Sequence, residues 1–170
     1  MHKLNKFSKI FLFLFAASGV IWLGSYITRL FLFYRLFQED ELILREFINE
    51  ENLKAIMQVL IAAILINMIF YLIMIFTSMV FILSSKLNLK QNGWLFISIV
   101  IIMITLPLEI YLMTIDYKIL MQILSNVFSS DEIVQLVVKR FTVLGSFPMI
   151  EILFYFSVLY LFMFQPLTKK

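Results

Sequence analysis

The longest uncharged stretch of the chain is AIMQVLIAAILINMIFYLIMIFTSMVFILSS, residues Ala55–Ser85. As an α-helix, these 31 residues would extend about 46 Å, because each residue advances the helix axis by 1.5 Å. The hydrocarbon core of a bilayer is about 30 Å thick and offers no partner for backbone N–H and C=O groups, so only helices and closed barrels cross it. Barrel strands alternate apolar and polar residues over about ten positions, whereas this stretch is continuously apolar. It therefore predicts a transmembrane helix.

Three further apolar stretches, Ile10–Ile27, Gln91–Leu108 and Ile152–Thr168, reach or approach the length needed to span a bilayer. Of the 170 residues, 62% are hydrophobic and 15% are charged, which is far more apolar than a soluble domain. The sequence therefore predicts an all-α integral membrane protein in which residues 1–170 form one four-helix transmembrane domain. The predicted membrane helices cover about residues 10–36, 55–84, 93–117 and 148–166.

The two acidic connections between these helices predict short amphipathic helices at the outer surface. The first would cover about residues 39–52, where Leu44, Phe47 and Ile48 recur at helical spacing. The second would cover about residues 130–144, and it follows the helix-start signal Ser-x-x-Glu at residues 129–132.

The distribution of lysines predicts the orientation of the chain. Both tails and the turn between the second and third spans carry lysines and no acids, whereas the other loops carry nearly all the acids. Because positively charged loops remain on the cytoplasmic side, we expect a multi-pass protein of the cell (inner) membrane with both termini in the cytoplasm. The lysines concerned are Lys3, Lys6, Lys9, Lys86, Lys90, Lys169 and Lys170.

Several classes of chemistry lack the residues that they require. Cysteine is absent and the single histidine is His2, so neither a thiolate site nor a bis-histidine site within the membrane is expected. The sequence contains no glycine-rich phosphate loop and no spacing typical of metal ligands. We therefore expect no enzyme activity, no cofactor and no metal. The absence of a basic stripe with interleaved aromatics argues against nucleic acid as a partner.

Charged residues within or beside the spans are the candidate functional residues. A charge in hydrocarbon is costly and usually pairs with another charge or lines a cavity. One hypothesis is that Glu109 and Glu151 bind a proton or cation, and the other is that Arg29 forms a structural ion pair with one of these acids. Asp116, next to Lys118, is expected at the outer surface.

Asn67 is the polar centre of the second span. A lone asparagine in a membrane helix typically bonds to a neighbouring helix, for about 1 kcal/mol, so we expect an interhelical polar contact rather than a substrate contact.

Two functional hypotheses from different classes follow. The first is a non-catalytic membrane subunit that packs with partner chains, or with copies of itself, in a membrane complex whose apolar faces also contact lipid. The alternative is a small oligomeric transporter or channel with a proton or cation site at Glu109 and Glu151. A membrane enzyme acting on lipids ranks third, because no catalytic residues support it.

Overall fold

The computed structural model describes residues 5–38, 42–125 and 128–168. Within these ranges the fold is all-helical, and four of its five helices are long and apolar enough to cross a membrane. The exception is the short α4. The helices are α1 (Lys6–Tyr34), α2 (Glu50–Ser85), α3 (Gly93–Leu124), α4 (Ser130–Thr142) and α5 (Phe147–Phe164).

Contacts between the helix ends give the bundle two distinct ends. The Ser8 hydroxyl at the start of α1 donates to the Ser84 hydroxyl at the end of α2, at 3.1 Å. Gly93 N, at the start of α3, donates to Leu167 O just beyond α5, also at 3.1 Å. We call this the terminal end of the bundle. The opposite end, where α1 finishes, α2 begins and α4 packs, is called the loop end.

Aromatic side chains fill the interior at the terminal end. The ring of Phe162 contacts Phe15, Trp94 and Phe81, with ring centroids 5.1, 5.3 and 6.1 Å apart. Nearer the middle of the bundle, the Trp22 ring contacts Tyr155 at 4.5 Å. Aromatic rings therefore make up much of the interior at the terminal end, where the Ser8 hydroxyl is also buried.

The prediction of a short helix at about residues 39–52, in the first loop, is wrong. Residues 42–49 are not helical, and residues 39–41 lie outside the described part of the chain. The loop instead folds back on the end of α1 through a bridge between Phe37 and Leu44. Arg45 secures this turn by donating from Nε to Phe37 O at 2.9 Å.

The start of α2 explains why the loop helix does not form. Asn49 and Asn52 make a reciprocal capping box, in which each side chain accepts from the other residue's backbone N–H, at 3.0 and 2.9 Å. A capping box satisfies N–H groups that a helix leaves free at its first turn, so it fixes the helix start at Glu50. Residues 50–52, assigned to the loop helix from sequence, thus form the first turn of α2.

The described residues after α3 include a separate short helix, α4, where the second amphipathic segment was predicted. The Ser129 hydroxyl caps it by accepting from Glu132 N at 3.3 Å. Its buried side chains are Ile133, Val137 and Arg140, which recur at helical spacing and therefore share one face. α4 thus presents an arginine together with its apolar residues to the rest of the bundle.

The outer surface of the four long helices is apolar. Large side chains that are more than half exposed occur along all four of them, as expected for contact with a lipid bilayer. Examples are Phe13, Phe31, Val59, Phe76, Leu83, Met103, Leu153 and Met163.

Candidate functional site

Five ionisable side chains are buried together near the loop end of the bundle. The three acids are 0% exposed, and the two arginines are 4% and 6% exposed. They come from α1, α3, α4 and α5, so the ionic cluster connects four of the five described helices. Its members are Arg29, Glu109, Asp116, Arg140 and Glu151.

Asp116 is the acceptor at the centre of the ion pairs. Arg29 Nη1 donates to Asp116 Oδ2 at 2.5 Å, and Arg140 Nε lies 3.2 Å from Asp116 Oδ1. The expected partner of Arg29 was Glu109 or Glu151, so the structure assigns it a different acid. Hydrogen bonds between guanidinium and carboxylate groups are among the strongest in proteins.

The burial of Asp116 corrects the expectation that this residue lies at the surface. α3 continues to Leu124, seven residues past the predicted end at 117, so Asp116 lies more than two turns before the end of the helix rather than in its last turn. α4 then packs beside α3 and brings Arg140 onto the carboxylate. The neighbouring Lys118 remains exposed, because adjacent residues on a helix point in different directions.

Glu109 and Glu151 form a second, differently bonded part of the cluster. The two carboxyl groups lie close enough to interact with each other, and the Tyr26 side chain is near that of Glu151. Yet no described residue donates a hydrogen bond of normal geometry to any of their four oxygen atoms. The nearest cation is the Arg140 Nη2 group, 3.9 Å from Glu109 Oε2. The structure thus brings together the two acids that the sequence singled out, but without a close cation.

Charge counting shows an imbalance in this cluster. Arg29 and Arg140 supply two positive charges, since a guanidinium stays protonated in proteins. Asp116, Glu109 and Glu151 would supply three negative charges if all were ionised, which leaves one negative charge over. An uncompensated charge buried away from water costs several kcal/mol, so ionisation of all three acids is unfavourable.

The Tyr26 ring lies beside both arginines. The guanidinium carbons of Arg29 and Arg140 lie 5.4 and 6.0 Å from the centre of this ring, within the range of cation–π attraction. Burial by itself would lower the pKa of Arg140, but Asp116 and Glu109 raise it above its ordinary value. Arg140 is thus held as a cation by the acids around it.

Neutral polar groups lie beyond the ionic cluster, towards the middle of the bundle. The hydroxyl groups of Thr105 and Tyr155 lie 3.2 Å apart. Asn67 Nδ2 donates to Ser25 Oγ at 3.3 Å and to Trp22 O at 3.4 Å, which joins α2 to α1. Asn67 is therefore in contact with a neighbouring helix and is separate from the ionic cluster.

Arg140 is the functional candidate that sequence reasoning missed. Its signal was present, because Ile133, Val137 and Arg140 fall on one face of a helix. An arginine on the apolar face of an amphipathic helix indicates a buried acid opposite it.

Comparison with protein-family models, with curated proteins and with solved structures finds no match for this chain. The fold and the site together define a helical membrane protein with an ionic cluster in its interior.

The cluster predicts that Asp116 is essential for stability. Asp116→Asn would leave two buried guanidinium groups without their shared carboxylate, so we expect unfolding in mild detergent to become easier by about 3–5 kcal/mol. Asp131→Asn is the matched control, because Asp131 is exposed in the first turn of α4. Thermal unfolding of both variants should show a large loss for Asp116→Asn and a small one for Asp131→Asn. Equal stability of the two variants would contradict the central place given to Asp116.

Proposed function

We propose that this chain is a small membrane transporter or channel that binds a proton at the carboxyl pair of Glu109 and Glu151. The observation that carries the proposal is the charge imbalance of the buried cluster, with two arginines against three acids. Two carboxylates that face each other repel, whereas a proton between them turns the repulsion into a hydrogen bond. One proton on the pair would therefore make the whole cluster neutral. Buried acids within membrane spans typically mark ion or proton pathways.

Three features favour a proton over a metal cation as the bound species. Among the described residues, no group of three or more histidine, aspartate or glutamate side chains could hold a metal ion. Hard cations such as Ca²⁺ and Mg²⁺ need about six oxygen ligands, many more than one carboxyl pair supplies. The Arg140 guanidinium 3.9 Å from Glu109 would also repel a second cation.

A small cleft at the loop end supports entry of the proton from that side. It is lined by side chains of α1 and α4 and lies beside the two guanidinium groups. We propose that the proton enters from the loop end. The residues that line the cleft are Tyr26, Arg29, Leu30, Phe33, Arg140 and Phe141.

The orientation that we propose places both termini in the cytoplasm of a cell whose inner membrane holds the protein. The lysine-rich turn around Lys86 and Lys90 supports it, because basic loops stay on the cytoplasmic side. The loop end would then face the outside.

A second proposal is that the chain serves as a non-catalytic subunit of a membrane complex. Ile43 and Phe47 favour it, since they are 54% and 65% exposed in a loop outside the four candidate spans. Exposed apolar side chains of this kind are often covered by a partner.

The orientation is tested by labelling single introduced cysteines, which is direct because the chain has no cysteine of its own. Glu46→Cys and Gln91→Cys place a thiol at exposed positions on opposite ends of the bundle. A membrane-impermeant maleimide added to intact cells should label Glu46→Cys and leave Gln91→Cys unlabelled until the cells are opened. The reverse pattern would contradict the proposed orientation.

The proton site is tested by flux into proteoliposomes that contain a pH-sensitive dye. With an imposed potassium diffusion potential, the wild-type chain should acidify the vesicles faster than empty vesicles do. Glu109→Gln and Glu151→Gln should each reduce the rate to that of empty vesicles, because glutamine cannot take up a proton. Glu51→Gln is the matched control, since Glu51 is exposed in the first turn of α2, and it should keep the wild-type rate.

Other results of this experiment would overturn the proposal in recognisable ways. Sodium or potassium flux that depends on the same two acids would replace the proton by a metal cation. Wild-type flux equal to that of empty vesicles, together with dispersal of a copurifying complex by Glu109→Gln plus Glu151→Gln, would favour the membrane subunit instead.

A further inference from the structure

Arg140 lies between the two parts of the ionic cluster, which are Asp116 with Arg29 on one side and Glu109 with Glu151 on the other. Its Nε donates to both oxygens of Asp116, at 3.2 and 3.4 Å. Its Nη2, by contrast, makes no hydrogen bond and points to Glu109 Oε2 at 3.9 Å. A guanidinium has five N–H groups, so one arginine can bond to one acid while remaining within about 1 Å of a second bond. Arg140 is thus bonded to Asp116 and close to Glu109.

The other groups around Arg140 determine which acid attracts it. Arg29 also binds Asp116, at 2.5 Å, so Asp116 would keep a counterion if Arg140 left. Tyr26 lies under both guanidinium groups, and Glu151 from α5 interacts with Glu109 and with Arg140. On α4 itself, Lys139 and the acids of the first turn are exposed, and from α2 Lys54 contacts the Phe128 ring just before α4.

Arg140 has an electrostatic reason to move when the charge of the carboxyl pair changes. While the carboxyl pair holds a proton, Glu109 attracts a cation only weakly. Once the proton leaves, Glu109 and Glu151 carry two charges with no bonded partner, and the attraction between buried charges is strong.

We propose that Arg140 is the coupling residue of the site: it moves from Asp116 towards Glu109 when the carboxyl pair loses its proton, and it carries α4 with it. This inference rests on the proposed proton site. In this step, the O–H bond of the protonated carboxyl group breaks as the proton leaves, and the Arg140 guanidinium exchanges Asp116 for Glu109 as its partner. No other covalent bond changes. α4 is suited to such a movement because it is a single short helix, Ser130–Thr142, followed by Gly145 in the left-handed conformation at φ 52°.

The movement of α4 is measured by the labelling rate of a cysteine on its buried face. Val137 is 2% exposed, so the thiol of Val137→Cys should react slowly while α4 is docked. Gln135→Cys, on the exposed face of the same helix, corrects for the intrinsic pH dependence of thiol reactivity. In liposomes, the ratio of the two rates should change about tenfold between a pH at which the pair is protonated and a pH at which it is not.

Two variants test whether the change in labelling ratio comes from the proposed movement of Arg140 from Asp116 to Glu109. Glu109→Gln should make the ratio independent of pH, because the two remaining acids balance the two arginines and the site then has no extra proton to lose. Lys139→Gln, the matched control for a charge on α4, should keep the wild-type pH dependence. Ile133→Cys is a second buried reporter, 0% exposed, that replaces Val137→Cys if the latter does not fold.

The outcomes separate this inference from the proton site on which it rests. If flux depends on Glu109 and Glu151 but the labelling ratio is the same at all pH values, Arg140 coupling is wrong and the proton site stands. A pH-dependent ratio that persists in Glu109→Gln would also overturn the coupling. If wild-type flux equals that of empty vesicles, the proposed function itself fails.

Discussion

A helix bundle in hydrocarbon cannot hydrate a charge, so every ionisable group in its interior needs a partner within the protein. The described part of this chain buries two arginines and three acids in one cluster. Asp116 satisfies both arginines, and Glu109 and Glu151 are left facing each other without a bonded cation. The arrangement of the loop end depends on this division, because the ion pairs of Asp116 tie α1, α3 and α4 together.

α4 has an unusual part in the bundle, because this helix, which is too short to be a candidate span, supplies one of the two cations of the buried cluster. Without Arg140, the buried cluster would contain one cation and three acids. The docking of α4 on α3 is therefore electrostatic as well as apolar, with Ile133 and Val137 buried on the same face as Arg140. A helix held in this way can respond to the charge of the site that it covers, which a purely apolar contact cannot do.

The fold was largely predictable from sequence, whereas the ion pairs were not. Long apolar stretches have few structural solutions in a bilayer, so the four long helices followed from composition. The loop helix at about 39–52 was wrong, because the Arg45 bond to Phe37 O and the Asn49 cap outweigh a weak helical spacing. The partner of Arg29 depends on how far α3 extends and on where α4 packs, and neither follows from local periodicity.

The proton on the carboxyl pair is the central claim, and infrared spectroscopy tests it most directly. In lipid at neutral pH, the protein should show the C=O stretching band of a protonated carboxyl group in a water-free environment. That band should disappear in Glu109→Gln plus Glu151→Gln and remain in Glu51→Gln. A wild-type spectrum with carboxylate bands only would mean that all three buried acids are ionised, and it would contradict the account.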